Sequence, residues 1–240
     1  MPLELQDADP TSDFPALARA LFESYEEPWQ SFFHAYFPIH GAGEEAREAA
    51  IREAATRLED WHTHDLTMRW QKIVDTETGN IATGALWNIY PENPFAETQE
   101  LPATWFPDDG SRRFAEQLVE LHGQPRARVG QRPHVYLFIL FTHPRYRRRG
   151  LGQQIMEWGM KKADEMGVEF FLDATPMGRS LYERNGFVLI EENVILPKTD
   201  SPDDAWREIE AKVGSSTHYL MWRPAGGYKE GETIKPWEEK

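Results

Sequence analysis

The feature that most constrains this 240-residue chain is a junction near its centre. The run His134–Thr142 (HVYLFILFT) is almost continuously apolar. It passes through His143-Pro144 into Arg147-Arg148-Arg149-Gly150-Leu151-Gly152. An unbroken apolar run of this length suits a strand covered on both faces. A helical pattern over Gly150–Met166 follows at once. It places Ile155, Met156, Gly159, Ala163 and Met166 on one face, with Gly167 as a stop. Val168–Asp173 is apolar again. Strand, helix and strand in that order predict a right-handed crossover joining two parallel strands.

The rest of the chain supplies partners for this unit. Leu3–Gln6 predicts a short first strand, and Phe14 to about Glu26 a helix with Pro15 in its first turn. Gly41–His64 predicts a long helix with Ala46, Ala50, Ile51, Ala54, Ala55, Leu58 and Trp61 on one stripe. Thr67–Val74 and Ile81–Tyr90, separated by the turn residues 75–80, predict a hairpin. Residues 91–132 are Pro-rich and irregular, with a short helix over Ser111–His122. So long a connection reads either as a binding loop or lid or as a surface excursion. Met177–Arg184 predicts a short helix. Phe187–Glu192 and His218–Arg223 predict a last strand pair, with a helix over Ser201–Val213 between them. We expect one domain over residues 1–225 and a loosely held tail over 226–240.

The turn at 147–152 carries the chemistry. The first turn of a helix leaves backbone N–H groups unpaired at a positive dipole end, which attracts phosphate. Glycines let the backbone come close to a pyrophosphate, and arginines add donors. The plain alternative is a solvated basic turn that happens to open a helix. Two other phosphate patterns do not fit. Gly-x-Gly-x-x-Gly fails at its third glycine, where Ile155 stands, and the Gly-x-x-x-x-Gly-Lys-[Ser/Thr] loop is absent.

These residues resemble the GNAT superfamily of acetyl-CoA-dependent N-acetyltransferases. That family's signature is Arg or Gln, two free positions, Gly, one free position, then Gly or Ala. Arg147, Gly150 and Gly152 match it. About thirty residues further on, Leu181-Tyr182 followed by Gly186-Phe187 resembles the family's second signature. The resemblance implies a mixed α/β (α+β) fold: a mostly antiparallel sheet containing one splayed parallel strand pair, flanked by helices. It also implies acetyl-CoA as co-substrate. Leu140, Phe141 and Thr142 would offer strand backbone to pantetheine, with a thioester-polarising N–H near Phe141. Arg147, Arg148, Arg149, Gly150, Leu151, Gly152 and Gln153 would hold the pyrophosphate. Tyr182 would stand near the sulfur as general acid. Thr175 occupies the place where many members have Asn. The splayed strand carries no Glu for the common base position, which leaves Asp173, and beside it His143, as nearby groups. The implied reaction is direct attack by an amine in a ternary complex. A non-catalytic acyl-CoA-binding module and a nucleotide-binding regulator are the rival readings.

Composition narrows the class further. With 26 Lys+Arg against 40 Asp+Glu the net charge is −14, which argues against a nucleic-acid surface. Cysteine is absent, which excludes disulfides, thiolate metal sites and thiol nucleophiles. No metal is expected, since His62-Thr63-His64-Asp65 lacks a supporting ligand pattern. The longest apolar run falls far short of the roughly 20 residues a membrane span needs, so no membrane partner is expected. We expect a cytoplasmic monomer or homodimer acting on a small-molecule amine, cationic or aromatic. Trp29, Phe33, Trp87, Tyr90, Trp105 and Phe106 are candidate walls for that acceptor.

Overall fold

The computed structural model describes residues 2–97 and 102–237. In chain order it contains β1 (Leu3–Asp7), α1 (Phe14–Glu26), α2 (Phe33–Tyr36), α3 (Gly43–His64), β2 (Met68–Asp75), β3 (Ile81–Tyr90) and α4 (Gly110–Val129). There follow β4 (His134–Thr142), a 3-10 turn at Pro144–Tyr146, α5 (Leu151–Met166), β5 (Glu169–Ala174), α6 (Arg179–Arg184), β6 (Val188–Ile195), α7 (Asp204–Val213) and β7 (Ser216–Arg223). Among the described residues the strands form one seven-stranded sheet in the order β1-β2-β3-β4-β5-β7-β6. Every neighbouring pair is antiparallel except β4–β5, which is parallel.

β4 lies at the middle of the sheet because its apolar run is covered twice. On one face Val135 and Leu137 join Trp87, Ile155, Met156, Phe170 and Leu172 beneath α5. On the other, Ile139 and Phe141 join the larger core built from α1, α2, α3 and α4. Strand alternation turns Asp173 and Tyr136 to the face opposite α5.

The parallel pair opens like a fork. β4 and β5 are paired from His134↔Glu169 only as far as Leu137↔Leu172, although β4 continues to Thr142. The cause lies in the β3–β4 ladder. Leu86 faces Ile139 while Trp87 faces Leu137, so Phe138 is an extra residue with no partner. Such a bulge bends its strand and increases the local twist. Beyond it β4 leans away with β3, and Asp173 and Ala174 stay paired with Leu220 and Tyr219 of β7. Gly84 keeps β3 close here, because a Cβ at that position would lie 2.5 Å from the Phe141 ring.

The 91–132 segment departs from its expected form. Residues 98–101 lie outside the described residues. The short helix expected over Ser111–His122 instead runs for 20 residues, through Pro125 to Val129. Its entry is capped by Asp109, which accepts from the Ser111 amide at 2.8 Å. Burial of Phe114, Ala115 and Leu118 anchors the apolar face. Near the C-terminus Arg126 stacks 3.7 Å from the centre of the Tyr136 ring, which holds the turn that Pro125 would otherwise weaken. This part of the segment is therefore a packed element, and it covers the face of the fork opposite α5.

Candidate active site

The fork opens into a cleft of about 910 Å³. One arm is backbone. Past Leu137 the β5-facing edge of β4 has no strand beside it. The His143 amide donates to Ala82 O at 2.9 Å, on the β3 side. Antiparallel alternation then directs the Phe141 amide toward β3 as well, and those of Leu140 and Thr142 into the gap. The strand N–H groups near Phe141 that face the gap are thus those of its two neighbours. Phe141 borders the cleft, while its ring packs over Gly84 in the larger core.

The turn after β4 continues this arm. Arg148 takes a left-handed backbone (φ 63°), as does Gly150 (φ 79°), which caps α5. Arg148 is the one described non-glycine residue with positive φ, a conformation costing on the order of 1 kcal/mol and typical of binding turns. No side chain caps the α5 N-terminus, so its first amides face the cleft at Gly150, Leu151 and Gly152. A pyrophosphate fits such a nest.

The three arginines separate. Arg147 lines the cleft, but its guanidinium donates to Thr142 O (3.1 Å) and Ser24 O (2.8 Å). It pins the turn to β4 and α1, and partial burial lowers its pKa. Arg148 borders the cleft. Arg149 does not; its guanidinium lies over the outer face of Tyr146, 5.4 Å from the ring centre. Placing all three on the pyrophosphate therefore needs correction: side-chain contact is open to Arg148, whereas Arg147 is engaged with backbone carbonyls and Arg149 sits outside. Gln153 borders the cleft while exchanging hydrogen bonds with Asn185. Thr175, on the loop after β5, accepts from the Gly178 amide at 3.2 Å.

Tyr182, on α6, faces the fork from the far side and is buried. Burial, with Tyr25 nearby, raises its pKa well above the usual phenol value, so it stays protonated at neutral pH.

The other arm consists of side chains from separate elements. Asp173 (β5) is buried and accepts from the Tyr136 hydroxyl at 2.8 Å. His122 (α4) has Nε2 3.8 Å from Asp173 Oδ2, and its Nδ1 shares a 2.6 Å hydrogen bond with the Tyr36 hydroxyl. His218 (β7) lies beside His122, ring centres 4.6 Å apart, and Phe32 meets it edge-on at 4.9 Å. Burial raises the Asp173 pKa, with Tyr136 and Arg126 opposing. Burial, then Arg126, pushes His122 down to about 4; burial, then His122, pushes His218 down to about 3. Sequence reading missed this cluster, apart from Asp173. Its members are scattered single residues, and no motif links positions 36, 122, 136 and 218.

The acceptor walls also differ from expectation. Trp87 is fully buried under α5 and donates to Gln71. Trp105 donates to Ala35 O, and Phe106 lies in the same core. Phe33 stacks on Tyr25, Tyr90 lies against Arg126 and His134, and Trp29 stands out against His34. None of the six borders the cleft; Tyr25, Phe32 and Phe138 do. His143 is also remote from this arm. It caps the 3-10 turn and bonds Glu23 at 2.9 Å.

Residues 114–189, which include both sequence signatures, match the family model described as acetyltransferase (GNAT) domain. Solved structures extend the likeness to the fold of almost the whole chain. A mosquito arylalkylamine N-acetyltransferase-like protein (5b) superposes with TM-score 0.59 at 17% identity, covering 93% of this chain and 100% of that one. The Drosophila melanogaster polyamine N-acetyltransferase, which forms N-acetylagmatine, gives 0.58 at 14% identity, covering 93% and 100%. A Corynebacterium glutamicum protein described as histone acetyltransferase HPA2 and related acetyltransferase gives 0.55 at 19% identity, covering 94% and 97%. No curated protein matches the chain in sequence. The chain thus resembles the GNAT acetyltransferases in both motif and fold, and this family uses acetyl-CoA. Family match and fold together support acyl transfer as the general activity.

Proposed function

We propose that the protein transfers the acetyl group of acetyl-CoA to the amine of a small molecule, by direct attack with both substrates bound. The observation that carries this reading is the fork. A free strand edge at Leu140 and Thr142 meets an uncapped helix N-terminus at Gly150–Gly152, and an acid–base group stands on each side of the gap. Acetyl-CoA supplies the activated acetyl group. Leu151 and Gly152 amides, with Arg148, would hold its pyrophosphate, Gln153 and Thr175 would border it, and Leu140 and Thr142 amides would orient its thioester arm. The free strand amides are donors aimed where negative charge develops on the reacting carbonyl.

The protein's own proton chemistry is divided between the arms. Tyr182, kept protonated by burial, donates toward the sulfur position. Asp173, raised by burial and steadied by Tyr136, takes the proton that the acceptor amine gives up. Mixing the protein with acetyl-CoA and a panel of small amines, cationic and aromatic, should release free thiol in step with acetylated amine. Tight acetyl-CoA binding with no turnover on any amine, histone peptides included, would overturn the reading in favour of a binding module. Tighter binding of ATP or NAD than of acetyl-CoA in a thermal-shift comparison would favour a nucleotide-binding regulator.

A further inference from the structure

Asp75 is a fully buried residue that the proposed reaction does not use. Its place is set by the hairpin turn at the end of β2. The Asp75 amide donates to Asn80 O at 2.9 Å, its carbonyl accepts from the Gly79 amide at 2.7 Å, and its Oδ1 accepts from the Glu77 amide at 3.2 Å. The Asp75 Oδ2 accepts from the Tyr146 hydroxyl at 3.1 Å. Tyr146 is buried too, in the core beneath α5. A rigid hairpin turn thus grips the last residue of the 3-10 turn that follows β4.

The residues after Tyr146 have little freedom. Arg147 is tied by its guanidinium to Thr142 O and Ser24 O. Leu151 is buried at the start of α5. Residues 148–150 must close the path between these fixed points. They do so with positive φ at Arg148 and Gly150, but not at Arg149. Alternating handedness turns successive backbone N–H groups toward one concavity, a nest that suits an anion. Gly150 takes its angle at no steric cost, whereas Arg148 does not. A residue with a Cβ stays in that region only where its surroundings over-determine it. Freed, Arg148 would return to negative φ and the concavity would open. A hydrogen bond to a buried carboxylate is strong enough to offset the strain of one such residue.

We propose that Tyr146, fixed by Asp75, is a positioning residue that holds Arg148 in its left-handed backbone, so that the turn is set for a diphosphate before one arrives. This rests on the coenzyme-binding reading of the turn and adds what keeps the turn in shape. Without the hold, only molecules with a left-handed residue 148 are competent, and apparent affinity falls with their fraction. For a residue with a Cβ that fraction becomes small. For glycine it stays near about one half, because glycine takes either sign of φ almost equally.

Calorimetric titration of the full chain with CoA reads the hold through a cycle of variants. Tyr146→Phe removes the hydroxyl and keeps the ring. In the parent it should weaken CoA about tenfold. In an Arg148→Ala background, where the charge is gone but the Cβ remains, the loss should again be about tenfold. In an Arg148→Gly background it should shrink to about twofold or less. NMR of the protein without CoA follows the contact between the amide and α protons of residue 148, which is shortest at positive φ and should lengthen in Tyr146→Phe. The double variant Asp75→Asn/Tyr146→Phe leaves no bare buried carboxylate, and it should give the same readings where the single variant folds poorly. Equal losses in the alanine and glycine backgrounds, no loss in any background, or a positive φ kept at residue 148 without the hydroxyl would overturn the hold. A parent chain that binds no CoA, yet loses the short contact on Tyr146→Phe, would overturn the coenzyme reading and leave the hold standing. Tight CoA binding with equal losses in both backgrounds would do the reverse.

Discussion

The two arms of the cleft are built by different means. The arm proposed for the coenzyme is, apart from Thr175, one stretch, Leu140–Gln153, built from main-chain geometry: a strand edge freed by a bulge, two left-handed residues and an uncapped helix end. The arm proposed for the acceptor draws side chains from α1, α4, β4, β5 and β7, with Tyr36 of α2 behind His122, and is built around buried polar atoms. Backbone recognition depends little on residue identity beyond the glycines, so it leaves a repeating pattern in sequence. Side-chain recognition can change with one substitution, so an acceptor pocket can be rebuilt while the coenzyme arm stays fixed.

If that contrast holds, variants in the two arms should affect different constants. Asp173→Asn should show the largest effect, a fall in turnover of about 100-fold or more with acetyl-CoA affinity unchanged. Loss of acetyl-CoA binding in this variant, shown by calorimetry, would mean that the arms are not separate. Gly152→Asp should show the mirror image. Its Cβ would crowd Leu181 at 3.1 Å, and its carboxylate would oppose the pyrophosphate. Acetyl-CoA affinity should drop by about 100-fold while amine binding persists. Unchanged affinity would remove the α5 N-terminus from the site.

The same contrast explains what could be read in advance. The β4–turn–α5–β5 crossover, the β2–β3 hairpin and the Gly150 and Tyr182 positions follow from local pattern, because apolar runs and glycines encode them within a few residues. The histidine cluster does not, because His122 and His218 become neighbours only when α4 packs across β7. Aromatic content misled for a related reason: Trp87, Trp105 and Phe106 are the largest apolar groups available, and the core uses them before any pocket can. The pairing of Arg147 with two carbonyls is likewise invisible in a run of three arginines.

Acidity should act on one arm more than the other. His122 and His218, with His134 nearby, sit at about 4, about 3 and about 4, against about 6.5 in the unfolded chain. Asp173, Arg126 and Arg132 are the charged groups facing them. As pH falls the unfolded chain takes up these protons first. The stability these groups confer is therefore complete above pH 6.5 and lost progressively toward pH 4, by roughly 2 kcal/mol per histidine at pH 5. The urea midpoint should fall between pH 7 and pH 5, and less so in the His122→Phe/His218→Phe double variant. An equal fall in both proteins would place the sensitivity elsewhere.

Tyr182→Phe tests the junction between the arms. It removes one hydroxyl from a side chain that packs against Phe187, so the fold should be retained. Turnover should fall by about tenfold, with acetyl-CoA and amine affinities within about twofold of the parent. An unchanged turnover number would reduce Tyr182 to a wall residue.

The smallest effects distinguish the three adjacent arginines, and here the contrast between main chain and side chain operates within a single turn. Arg147→Ala removes bonds to Thr142 O and Ser24 O, two carbonyls that hold the turn against β4 and α1. It should cost about 1–2 kcal/mol in urea unfolding and weaken acetyl-CoA only through that loosening. Arg148→Ala removes a cation bordering the cleft and should raise the acetyl-CoA KM about fivefold, an effect that fades with added salt. Arg149→Ala removes a cation resting on the outer face of Tyr146 and should change either constant by less than about twofold. If Arg149 proved as sensitive as Arg148, the pyrophosphate would be held by the summed charge of the turn. The uncapped amides of α5 would then lose their leading place.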